Sequence, residues 1–171
     1  MNHDQLLNLA FLQALLATNF KLPQKDKGTL ILISIAEDIM RLEFLDSLFL
    51  LVGMGYQLAG TPGTAEFYAR YGIRLLSLPK PPDPLILGPG VDTVMSCMHR
   101  RCIDLIINIP EGSIRRDEIT AGYLMRRKAV DFGVSLLTNI KCAILFTEAL
   151  SRNRPLPCLA AEDYFNAPTI G

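Results

Sequence analysis

Residues 29–35, T-L-I-L-I-S-I, form an unbroken apolar run that is too short for an ordinary helix and does not alternate as a half-solvated strand does. A strand that is apolar on both faces must be covered on both, which is the condition of a parallel sheet held between helices. Four more β-prone runs follow, at 56–60, 74–78, 104–109 and 134–138. The spacing predicts helices over 6–17, 41–54, 64–71, 121–131 and 139–152, and a further one capped by Asp92 and running to residue 101. Five strands alternating with helices predict an α/β chain, a three-layer doubly wound sheet of about five parallel strands. Right-handed crossovers leave few topologies. Ligands of such sheets bind beyond the carboxyl ends of the strands, where strand order reverses, so the loops after Ile35, Gly60, Leu78, Ile109 and Thr138 carry the candidate chemistry.

Breakers divide the rest. Four prolines fall within residues 79–84 and Gly88-Pro89-Gly90 follows, so 79–90 is a loop, as is 112–120; residues 20–28 read as a connector. The expected organisation is a helix and connector over 1–27, an α/β domain over 28–152, and a tail or linker over 153–171. With 171 residues, 50% of them apolar and 20% charged, the chain is one globular domain and not a disordered one. Lys+Arg and Asp+Glu number 17 each, and the missing basic excess argues against a nucleic-acid partner. A mean hydropathy of +0.27 is high for a free-standing soluble chain and implies that neighbours cover part of the surface.

No stretch holds 18 uninterrupted apolar residues, and Met1-Asn2-His3-Asp4 lacks a basic leader, so a cytoplasmic location with no membrane partner is expected. Cys97, Cys102, Cys142 and Cys158 form no C-x-x-C pair and read as reduced thiols, with neither a disulfide framework nor a zinc site. His3 and His99 are the only histidines, and no Ser-His-Asp, Cys-His or metal-spaced cluster accompanies them. No catalytic residue, metal or cofactor is expected.

The loops do carry anion chemistry. Gly60-Thr61-Pro62-Gly63-Thr64 precedes a helix, where free N–H groups, the positive dipole end and two hydroxyls suit a phosphate or carboxylate. The same residues serve equally for N-capping by Thr64 and a turn. Arg41 and Lys80 follow the first and third strands, either to neutralise that anion or as solvated charges. Asn108 ends the fourth strand and can offer its amide to a ligand or to its own turn. Arg115-Arg116 and Arg126-Arg127-Lys128 either clamp phosphate or pair with Asp117, Glu118 and Asp131.

The segments G-T-L-I-L-I-S-I, G-Y-Q-L-A-G-T-P-G-T-A-E-F, I-D-L-I-I-N-I-P-E-G and Y-L-M-R-R-K-A-V-D-F-G-V-S-L-L-T-N occur in that order across residues 10–152. Together they resemble the methylglyoxal-synthase-like, Rossmann-like domain at the C-terminus of carbamoyl-phosphate synthases, most of all that of the animal pyrimidine-synthesis multienzyme. The resemblance implies an allosteric regulatory domain whose small-molecule effector biases a synthase core in the same or a partner chain; it leaves a homo-oligomer open. Effectors in that family are uridine nucleotides and phosphoribosyl pyrophosphate, inosine and uridine monophosphates, or N-acetylglutamate. Carried over by motif, the effector-binding residues are Thr61, Gly63 and Thr64, with both threonine hydroxyls on the anion, together with Lys80, Asn108 and Arg41. Arg41 stands one residue out of register with a family lysine.

The N-acetylglutamate type resembles this chain less at three positions, having Asn where Gly122 and Glu111 stand and Trp at Lys80. A cation at Lys80 suits a phosphorylated ligand, so the resemblance implies UTP as inhibitor and phosphoribosyl pyrophosphate as opposing activator. True methylglyoxal synthases carry catalytic carboxylates in Gly-Gly-Asp and Trp-Asp-Pro turns. Here these read Gly-Val-Asp92, one residue out of register, and Ile-Pro-Glu111, so the lyase chemistry does not carry over.

Overall fold

The computed structural model describes residues 3–25, 28–80, 91–112 and 120–152. The elements in chain order are α1 (His3–Ala17), β1 (Leu30–Ile35), α2 (Asp38–Glu43), α3 (Leu45–Gly53), β2 (Gln57–Gly60), α4 (Pro62–Ala69), β3 (Leu76–Ser77), α5 (Val94–His99), β4 (Ile103–Ile109), α6 (Ala121–Phe132), β5 (Ser135–Leu137) and α7 (Ile140–Arg152). All strand pairs are parallel and the order is β3-β2-β1-β4-β5. The expected α/β three-layer, doubly wound sheet is therefore the observed one.

Strand periodicity assigns the two cores. Ile31, Ile33 and Ile35 of β1 and Leu105, Ile107 and Ile109 of β4 face one side, where Leu12 of α1, Leu48 and Leu51 of α3, and Phe146 of α7 close over them. Leu32 and Ile106 face the other side, against Met98 of α5 and Met125 and Ala129 of α6. β1 is central and buried on both faces from Ile31 to Ile35, as its continuous apolar run requires. The chain winds from β1 outward through β2 to β3, then returns across β1 to β4 and β5. Strand order thus reverses between β1 and β4, whose carboxyl ends pair Ser34 with Asn108 and Ile35 with Ile109.

Three local expectations are corrected. The helix expected over 41–54 begins at Asp38 and divides at Phe44, a fully buried side chain whose backbone (φ −86°, ψ −3°) departs from ideal helix. Asp92 does not cap α5. Thr93 does, in a reciprocal box in which the Ser96 amide donates to the Thr93 hydroxyl (3.1 Å) and the Thr93 amide to the Ser96 hydroxyl (2.9 Å). Asp92 instead pairs with Arg100 at 2.7 Å. Thr61, not Thr64, stands at the N-cap of α4, and Pro62 follows at the first helical position, where a missing N–H costs nothing. The expectations for 81–90, for Arg115, Arg116, Asp117 and Glu118, for Cys158 and for the tail over 153–171 lie outside the described residues.

Candidate functional site

A cleft of about 270 Å³ opens beyond the carboxyl ends of β1 and β4, at the point where strand order reverses. Ser34 and Ala36 form its β1 wall, and Asn108 and Glu111 come from the end of β4 and the loop beyond it. Lys80 enters from beyond β3, and Thr120, Gly122 and Arg126 from the start of α6. The loop at its rim is pinned by the Gly112 amide, which donates to Glu37 Oε1 at 2.9 Å.

Asn108 is buried, and its Oδ1 accepts a 2.6 Å hydrogen bond from Arg126 Nη1. The guanidinium fits there because position 122 carries no side chain: a Cβ on Gly122 would sit 3.2 Å from Arg126 Nη1 and 3.8 Å from Asn108 Oδ1. Partial burial holds the Arg126 pKa below the usual guanidinium value. Lys80 leaves much of its side chain in solvent, but desolvation of its ammonium, and secondarily the Arg41 charge, lower its pKa. An anion among these groups would relieve both effects.

Arg41 lies on the adjoining side of β1. Its Nε donates to the Ile35 carbonyl (2.8 Å), Nη2 to the Ala36 carbonyl (3.2 Å), and Nη1 pairs with Asp38 Oδ1 (2.5 Å). The guanidinium passes close to Gly63, where a Cβ would lie 3.6 Å from Nη2. Beneath them Thr61 and Thr64 are each 1% exposed. Their hydroxyls lie 3.1 Å apart, and that of Thr61 is 3.3 Å from the Ser34 hydroxyl on the cleft wall. Thr64 Oγ1 accepts from the Ile35 amide at 3.2 Å and lies 3.3 Å from the Ile35 carbonyl. β2 ends at Gly60, and the Thr64 side chain satisfies the first odd-numbered β1 amide beyond that end.

Of the six expected site residues, Lys80 and Asn108 line the cleft. Arg41 and Gly63 are neighbours beside it, and Thr61 and Thr64 support it from below with their hydroxyls engaged inside the protein. Arg126, Ser34 and Thr120 were not among the expected site residues. The signal for Arg126 was helical phase. It falls four residues after Gly122 on α6 and so shares its face, whereas Arg127 and Lys128 turn outward to pair with Asp131 at 3.4 and 3.5 Å. Of the two carboxylates weighed for lyase chemistry, Glu111 lines the cleft and Asp92 is held by Arg100. Among the described residues no group of three His, Cys, Asp or Glu side chains could hold a metal, and no helix is long and apolar enough to cross a membrane.

The family model of the MGS-like domain matches residues 43–138. The chain belongs to the MGS-like domain family. It is 40% identical over 153 residues to the multifunctional protein URA2 of Saccharomyces cerevisiae, covering 84% of this chain and 6% of that protein. The multifunctional protein CAD of Squalus acanthias is 35% identical over 149 residues, 82% of this chain and 6% of its own length. The mitochondrial carbamoyl-phosphate synthase [ammonia] of Mus musculus is 32% identical over 148 residues, 86% of this chain and 9% of its own length. The chain thus spans less than a tenth of each of these relatives.

Proposed function

We propose that this MGS-like domain is the allosteric regulator of a carbamoyl-phosphate synthase in pyrimidine biosynthesis, with UTP as inhibitor and phosphoribosyl pyrophosphate as activator. One observation carries the reading: a cleft at the reversal of strand order gathers Lys80 and Arg126 with the polar groups of Ser34, Asn108 and Thr120, and Arg41 stands beside it. Two cations suit a phosphorylated ligand, and guanidinium groups bind phosphate bidentately. Gly63 and Thr64 bring the start of α4 to the same side, and Thr61 and Thr64 brace it from below. Asn108 reads the base or ribose.

The effector acts by binding one conformation better than another, which shifts the synthase by the difference, typically ~1–3 kcal/mol. The greater identity to the two multifunctional proteins than to the ammonia-dependent synthase favours the pyrimidine type. So does the cleft itself, where the Glu111 carboxylate would repel a dicarboxylate such as N-acetylglutamate. Ile39 and Leu42 of α2 and Phe49 and Val52 of α3 are exposed apolar residues, and contact with a synthase core in the same or a partner chain would cover them. The location that goes with this role is the cytoplasm. Isolated, the chain binds effector and catalyses nothing.

The test is calorimetric titration of the chain with UTP, phosphoribosyl pyrophosphate and N-acetylglutamate in parallel. Saturable binding of the first two, weakened in Lys80→Met, is the expected result. Binding of N-acetylglutamate alone would move the domain to the urea-cycle type, and no binding of any of the three would defeat the regulatory reading of this cleft.

A further inference from the structure

The end of α5 brings two thiols together. Arg101 takes a left-handed backbone (φ 56°); its amide donates to the Met98 carbonyl and the Cys102 amide to the Cys97 carbonyl, each at 3.0 Å. This pair of bonds is the Schellman stop, in which the residue two beyond the cap meets the residue three from the helix end. That contact is ordinarily apolar. Here the two positions are Cys97 and Cys102, and the Cys102 thiol donates to the Cys97 carbonyl oxygen at 3.2 Å. Arg100 Nη2 lies 3.5 Å from Cys97 Sγ and is shared with Asp92 Oδ1, 2.7 Å away.

We propose that Cys97 and Cys102 are a redox-sensitive dithiol that closes to an intramolecular disulfide by exchange with a small-molecule disulfide of the glutathione class. The two sulfurs differ in access, which sets the order of events. Cys97 is 1% exposed and cannot meet an external reagent, whereas Cys102 is only half-buried. Burial also pushes the Cys97 thiol up from its ordinary pKa, so Cys102 attacks first. Its thiolate displaces one half of the small disulfide, forming a mixed disulfide and releasing one thiolate. Cys97 then loses its proton to solvent and attacks Cys102 Sγ, and the second half leaves as a thiolate. The protein dithiol is oxidised by two electrons and the small disulfide is reduced to two thiols. The new bond ties the last turn of α5 to the first residue before β4, and α5 in turn hydrogen-bonds through the Val94 amide to the Pro79 carbonyl, next to Lys80.

The experiment uses the full chain with Cys142→Ser and Cys158→Ser, so that only this pair remains. Oxidised glutathione is added and the protein is alkylated, digested with trypsin and weighed. Cleavage at Arg100 and Arg101 separates the two cysteines, so a disulfide shows as linked peptides with the loss of two hydrogens. The expected result is that linkage, reversed by a reducing dithiol. In Cys97→Ala the reaction stops at a stable glutathione adduct on Cys102. In Cys102→Ser the native protein takes up no glutathione, and Cys97 is alkylated only after denaturation. The variants' circular dichroism establishes that they are folded. A stable adduct on Cys102 with Cys97 still present, or no reaction of either thiol, overturns the proposal.

Discussion

Replacing Thr64 by Val removes a hydroxyl and keeps the shape, and the structure says what that costs. Thr64 Oγ1 is the acceptor for the Ile35 amide, in a strand residue 1% exposed whose neighbour β2 has already ended. Leaving a buried donor unpaired costs roughly 1–3 kcal/mol. Taking about 2 kcal/mol, with a melting temperature that moves by about 2–4 °C per kcal/mol at this size, predicts a fall of roughly 4–8 °C. Thr64→Ser retains the acceptor and should lose less than half as much. The assay is thermal and urea unfolding of the three proteins, with effector titration well below the transition. If Thr64→Val leaves the melting temperature within a degree of the parent yet abolishes effector binding, the hydroxyl belongs to the ligand and not to the fold, and the reasoning fails.

Four other outcomes are expected. Lys80→Met removes a charge-assisted contact worth about 1.5–3 kcal/mol, and calorimetry should read a roughly 10- to 150-fold weaker phosphorylated effector. Because Lys80 loses its proton below the ordinary lysine pKa, and the anion prefers the charged form, affinity should hold at lower pH and fall as pH rises through that lowered pKa. Titration across pH checks this, and Lys80→Arg should flatten the fall. Gly122→Val crowds Arg126 Nη1 off Asn108, so its loss of affinity and that of Arg126→Ala should combine to less than their sum in a double-mutant cycle. Incubation with dihydroxyacetone phosphate should release no methylglyoxal, since Asp92 is held by Arg100 and only Glu111 reaches the cleft.

The strands were legible because a doubly covered strand has nowhere to put a polar residue, so β1 and β4 announce themselves as apolar runs. The break at Phe44 was not. Met40, Phe44, Leu45, Leu48 and Leu51 continue one helical stripe, and nothing in that pattern marks the break at the buried Phe44. The capping of α5 was legible in principle as Thr93-x-x-Ser96, a reciprocal box that outcompetes the adjacent carboxylate of Asp92. Within the site, Lys80 and Asn108 follow from the strand-end rule alone. Arg126 depends on helix phase, which decides which of three consecutive cations turns inward. The direction of the Thr61 and Thr64 hydroxyls depends on β2 stopping short of β1, and strand ends are where pattern is least informative.

The geometry also bears on how an effector could act at a distance. Among the described residues, both guanidinium groups beside the cleft are already engaged: Arg41 holds the Ile35 and Ala36 carbonyls, and Arg126 holds Asn108. Those acceptors end the two strands that flank the reversal of strand order. An incoming phosphate competes for the same donors, so its binding energy is measured against bonds that set the positions of the β1 and β4 ends. A ligand that binds both conformations equally regulates nothing, however tightly it binds. One that must exchange partners favours whichever arrangement of the strand ends leaves the donors available. The expected consequence is local: UTP should change amide hydrogen exchange at Ala36 and in the turn after Ile109, and leave the middles of β1 and β4 as they were. Uniform slowing across the whole sheet, with no focus at those ends, would mean that the effector only stabilises the fold.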